Sequence, residues 1–175
     1  MNNKWHGLMK ILEIQQIRNN KVIWEEKNVN NTLHTLGERF FLKCCFENDP
    51  DASPRFPPQN YYLGLDNRST VDVTDTISSL IDEPTNTNGY LRKPVSSLNG
   101  FSLELVNDIY RATSEIVSFN ASGGGWGPVS KIFLTNTSTD TTETVLLATA
   151  SLSSAITLSS GDAVNMRMAL SLQDY

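Results

Sequence analysis

The run AVNMRMALSL, from Ala163 to Leu172, most tightly limits what this chain can fold into. Val164, Met166, Met168, Leu170 and Leu172 alternate with Ala163, Asn165, Arg167, Ala169 and Ser171, the period of two that gives a β-strand one apolar and one polar face. Such a strand belongs in a sheet covered on one side, which antiparallel pairing supplies. Earlier segments repeat the pattern: Phe101, Leu103 and Leu105 face one way, and Val117 and Phe119 follow. Strands at spacings of about ten residues, in a chain rich in Ser, Thr and Asn, predict an antiparallel β-sandwich of jelly-roll or Ig-like type.

The N-terminal third reads differently. Met9 to Arg18 and Val22 to Lys27 are strand-like, and Asn19-Asn20 between them tolerates the left-handed backbone of a tight turn, so a β-hairpin is expected. In NNTLHTLGERFFLKCCFEND, Leu33, Leu36, Phe40 and Cys44 recur at spacings of three and four behind the candidate caps Asn31 and Thr32, which predicts one short helix with Gly37 inside it. The stretch DPDASPRFPPQN holds four of the seven prolines and reads as a loop. With 175 residues the chain fits one domain, 1–175: hairpin plus helix over 1–48, the proline-rich loop over 49–60, and the β-sandwich over 61–175. Within the last part, YYLGLD reads as a strand, DTISSLI as a helical turn, Asn88-Gly89 as a turn and Thr135–Thr144 as a polar loop.

The segment NASGGGWGPVSKIFLT, from Asn120 to Thr135, raises the question of a phosphate-binding loop. Such loops open a helix and, in the P-loop form, end in Gly-Lys-Ser/Thr; here Trp126, Gly127, Pro128 and then β-branched and aromatic residues follow the glycines. The expected role is an irregular crossing between two strands, with Trp126 as an apolar anchor against the sheet or a neighbouring subunit.

Chemistry-bearing clusters are weak throughout. Asp66, Asp72, Asp75, Asp82 and Glu83 lack the spacing of a calcium loop and read as solvated acids. His6 and His34 do not make a zinc set, and Cys44/Cys45 on one helix with His34 lie too far apart for a nucleophile-base pair. No G-x-S-x-G elbow is present. The expectation is a protein without catalytic residues, cofactor or metal. A net charge of −5 opposes nucleic-acid binding. The N-terminus lacks an apolar core of signal-peptide length, and no stretch of roughly 18 apolar residues occurs, so the expected chain is made in the cytoplasm and does not span a membrane. Adjacent Cys44 and Cys45 strain a mutual disulfide and read as reduced, packed thiols.

The order NNTLHTLGERFFLKCCF, YYLGLDNR, DEPTNTNGYLRKPV, RATSEIVSFNASGGGWGPVSKIFLT and SLSSAITLSSGDAVNMRMALSL resembles small virion structural proteins of tailed bacteriophages. In these an LGL strand, a GY.R segment and a W.PV..IFL strand lead to a closing SGD…M.LSL strand. The resemblance covers most of the chain after about Asn30. It implies a β-sandwich without enzymatic activity, placed on the capsid surface of a virion assembled in the host cytoplasm. A head decoration (cement) protein, bound to the major capsid protein or other virion proteins as a homo-oligomer with a trimer favoured, is the leading expectation. A tail, baseplate or fibre-associated adaptor is the alternative, and a carbohydrate-binding β-sandwich using Trp126, Tyr61, Tyr62 or Tyr110 comes from another class. Candidate contact residues are Trp5 and Trp24 of the hairpin, Phe56 of the proline-rich loop, and Trp126.

Overall fold

A computed structural model describes residues 5–46, 57–80 and 82–174. The protein is mainly β, an antiparallel sheet nearly closed into a barrel and accompanied by one α-helix among the described residues. Strands β1 (Trp5–Arg18) and β2 (Lys21–Leu33) form the expected hairpin, with Asn19 and Asn20 both left-handed at φ 51° and 60°. The pattern of β1 contains its own correction: the pairing slips between Ile11 and Glu13, so Met9, Ile11 and Ile14 all point inward despite the odd spacing. The proline-rich stretch lies outside the described residues up to Phe56.

Helix α1 (Thr35–Phe46) follows β2 directly. Asn31 and Thr32 do not cap it. With Leu33 they continue β2, pairing with Ala150, Thr149 and Ala148 of β9 (Leu146–Leu158), so sheet pairing prevails over the local capping preference of Asn and Thr. The first helical bond runs from Glu38 N–H to the His34 carbonyl. Gly37 is there for a reason beyond propensity: a Cβ at this position would collide with the Leu147 carbonyl of β9, so glycine lets α1 lie directly on the sheet backbone.

The remaining strands are β3 (Asn60–Asp66), β4 (Lys93–Ser96), β5 (Phe101–Val106), β6 (Ile109–Ser114), β7 (Val117–Asn120), β8 (Trp126–Thr135) and β10 (Ala163–Asp174). Two 3-10 turns, Ile77–Ser79 and Asn86–Asn88, fall where DTISSLI and Asn88-Gly89 predict them. The strand order is β4-β3-β8-β9-β2-β1-β10-β6-β5, with β7 beside β10 next to β6. The hairpin therefore stands in the middle of the sheet. β7 comes back near β4, and the curled sheet wraps one core. Val164, Met166 and Met168 of β10 are buried there with Met9, Ile11, Leu63, Leu65, Ile132 and Leu134.

Candidate functional site

The glycine run lies where the barrel nearly closes. After β7, the Ala121 N–H donates to the Asp162 carbonyl and the Ala121 carbonyl accepts from Gly161 N–H, which ties the crossing to the β9–β10 turn. Gly123 takes φ +80°, a Cβ on Gly124 would press on the Asn88 side chain, and one on Gly125 would collide with the Leu158 carbonyl. The Asn88 amide donates to the Gly125 carbonyl at 3.2 Å, and the Trp126 indole Nε1–H donates to the Asn88 carbonyl at 2.9 Å. Tyr90 sits edge-on to Trp126, with centroids 5.4 Å apart, and stacks on Phe119 of β7 at 6.1 Å. Backbone atoms and an indole fill this space, so the segment joins strands as its sequence predicts.

Of the acidic residues read as solvated, Asp72 and Asp82 are exposed, whereas Asp66, at the end of β3, Asp75 and Glu83 are engaged by arginines. Asp66 and Arg68 are buried 3.4 Å apart, and Asp75 lies 3.6 Å from the same guanidinium. Burial pushes the Asp66 carboxyl up, while Arg68 pulls it down. Glu83 makes a bidentate pair with Arg92, whose guanidinium stacks over Phe133 and also meets Asp140 at 2.8 Å. The Tyr90 hydroxyl donates to Glu83 and accepts from Leu65 N–H. Among the described residues no group of His, Cys, Asp and Glu is placed to hold a metal ion.

His34 closes this network. Its Nδ1 lies 2.9 Å from the Asp72 carbonyl and its Nε2 2.8 Å from the Thr149 hydroxyl, which also accepts from Arg68. The carbonyl can only accept, so Nδ1 carries the proton and Nε2 accepts from Thr149. Burial lowers the His34 pKa, with the nearby Arg68 charge adding to it. Both partners are closed to solvent, so a substrate cannot reach this His-Thr pair; it holds the 67–75 loop against α1 and the sheet.

At the β9–β10 turn, Asp162 accepts from Arg18 Nε and Nη2, Gln16 Nε2 and Ser159 N–H. The Arg18 hydrogen bonds hold the Asp162 carboxyl well below the usual carboxylate range. A pocket of about 300 Å³ lies here, but its cation and its anion bind each other. On α1, Cys44 and Cys45 are free thiols; burial pushes Cys44 up to about 11, whereas Cys45 is exposed rather than packed, because it lies on the solvent side of the helix.

The β5–β6 hairpin carries several exposed apolar side chains. Asn107 and Asp108 take φ 52° and 63° in a two-residue turn, which puts Leu103 opposite Ala112, Leu105 opposite Tyr110 and Glu104 opposite Arg111. One face thus carries Leu103, Leu105 and Tyr110, exposed at 78%, 58% and 70%; the other carries Glu104, which accepts from Arg111 and Thr113. β6 pairs with β10 through Arg111, Ala112 and Thr113, so the turn end extends past the paired part of the sheet. Alternation marks Phe101, Leu103 and Leu105 as one face of a strand, but alternation cannot say whether that face meets the core or solvent.

Of the four candidate contact residues, Trp24 and Trp126 have described side chains. Trp126 is 4% exposed, with its surface and its N–H taken up inside the chain. Trp24 of β2 is half-buried and packs against the core. Trp5 opens β1, but its side chain lies outside the described part of the protein, as does Phe56. Of the aromatics considered for glycan stacking, Trp126 and Tyr61 are buried, Tyr62 is half-buried and Tyr110 is open to solvent. No described helix is long and apolar enough to cross a membrane. Comparison with known proteins gives no match to a protein-family model, to a curated protein or to a solved structure.

Proposed function

We propose that the protein is a virion structural protein of a tailed phage, a head decoration (cement) protein that binds the capsid surface and bridges neighbouring major-capsid subunits. The observation that supports this reading is the β5–β6 hairpin, an arm with Leu103, Leu105 and Tyr110 exposed on one face. Exposed aliphatic and aromatic side chains on one arm are what a surface-binding protein needs, because burying them against a shell supplies the driving force and the charged opposite face keeps the arm soluble. Repetition over a symmetric shell multiplies a weak contact. In this reading the curled sheet is a jelly-roll or Ig-like β-sandwich whose β3-β8-β9 side faces its β1-β10 side across the core.

The test is binding of the purified protein to expanded capsids that lack it. Wild-type protein should decorate the shells at many copies, and Leu105→Glu combined with Tyr110→Ser should bind at least roughly tenfold more weakly while folding normally. Absence of binding to such shells overturns the decoration role. Labelling confined to the tail of intact particles would assign the arm to a tail adaptor instead.

A further inference from the structure

The two strands that end the order of the sheet are built differently. β4 has four residues, including Lys93 and Pro94, both of which discourage another strand from adding to its open side. β5 has six residues, FSLELV, with neither lysine nor proline, and pairs with β6 alone among the described strands. An open edge of this kind is a template for another strand.

We propose that β5 pairs antiparallel with β5 of a second copy of this chain, about a two-fold axis at Leu103. The register follows from the side chains. A two-fold axis perpendicular to the sheet keeps each face on its own side, so residues opposite one another must share a face, and the registers that keep most of the strand paired are centred on Leu103 or on Glu104. Centring on Glu104 sets two carboxylates directly opposite, which destabilises the pair. Centring on Leu103 sets Leu103 against Leu103, Leu105 against Phe101 and Glu104 against Ser102, whose hydroxyl can donate to it. Each Glu104 also keeps its own Arg111 at 2.9 Å.

The paired hairpins form one longer ribbon with Leu103, Leu105 and Tyr110 of both copies on the same face. Such a contact uses the same edge on both sides and closes at two copies, in contrast to the trimer implied by the family resemblance. It involves the edge of the arm rather than its face and does not depend on the virion reading.

Sedimentation of the full chain tests the idea, with far-UV circular dichroism as the check on folding. Wild-type protein should sediment as a dimer. Leu103→Glu and Leu103→Lys should each weaken self-association by roughly tenfold or more, because like charges then meet across the axis. An equimolar mixture of the two should dimerise again, because residue 103 meets its own copy in this register. Leu42→Glu on the exposed side of α1 should leave the dimer unchanged. A monomeric or trimeric wild type, a Leu103→Glu variant that still dimerises, or a mixture that stays monomeric would overturn the proposal.

Discussion

The Trp126 indole donates its Nε1–H to the Asn88 carbonyl oxygen at 2.9 Å, joining the start of β8 to the turn that leads into β4. Removing the ring empties a site bounded by Tyr90 and the core, so Trp126→Ala should cost about 3–5 kcal/mol. Trp126→Phe keeps part of the packing and leaves the carbonyl without its donor, for a smaller loss of about 1–3 kcal/mol. Urea unfolding monitored by circular dichroism reads both, and an unchanged midpoint for Trp126→Ala would remove the anchor role.

Gly37 offers a test in which helix propensity and packing have opposite signs. Propensity alone makes Gly→Ala in a helix stabilising by about 1 kcal/mol. Contact with the Leu147 carbonyl reverses this, and Gly37→Ala should lower stability by about 1–3 kcal/mol as α1 is pushed off β9. A raised melting temperature would refute the close-packing argument.

His34 makes stability depend on pH. Its pKa in the fold lies below its ordinary 6.5, so the unfolded chain takes up the proton first. Stability is therefore complete above about pH 6.5 and falls as pH drops from there toward the folded value, because the added proton on Nε2 faces the Thr149 hydroxyl and the Arg68 charge. Stability curves measured from about pH 7 to about pH 5 should flatten in His34→Gln. At lower pH Asp162 adds a second loss with the same sign: its carboxylate is favoured in the fold, and the stability it supplies disappears as pH falls below its ordinary 3.8 toward its lower folded value. Asp162→Asn should remove that part of the acid limb.

The two cysteines should react in order. Cys45 is exposed, whereas Cys44 is partly buried against Tyr61 with its thiol pushed up to about 11, leaving little thiolate at neutral pH. Iodoacetamide labelling followed by peptide mass spectrometry should find Cys45 modified well before Cys44. Equal rates in the native protein, as expected only after unfolding, would contradict this packing.

Much of the backbone plan is legible in the sequence because it rests on local rules. Alternation located β10, β7 and β5, the Asn19-Asn20 pair located the first hairpin turn, and the residues after Gly125 excluded a phosphate loop, since each depends on neighbours a few positions away. Other features needed the assembled sheet. Asn31 and Thr32 look like caps until β9 pairs with them, and Gly37 looks like a weakness until Leu147 is placed beneath it. Asp66, Asp75 and Glu83 look solvated until Arg68 and Arg92 fold in beside them. The direction of an alternating face escapes the sequence entirely: Met166 and Leu103 have similar patterns around them, yet one is buried and the other is 78% exposed. Strand period sets which side chains share a face, and long-range pairing alone decides what that face meets.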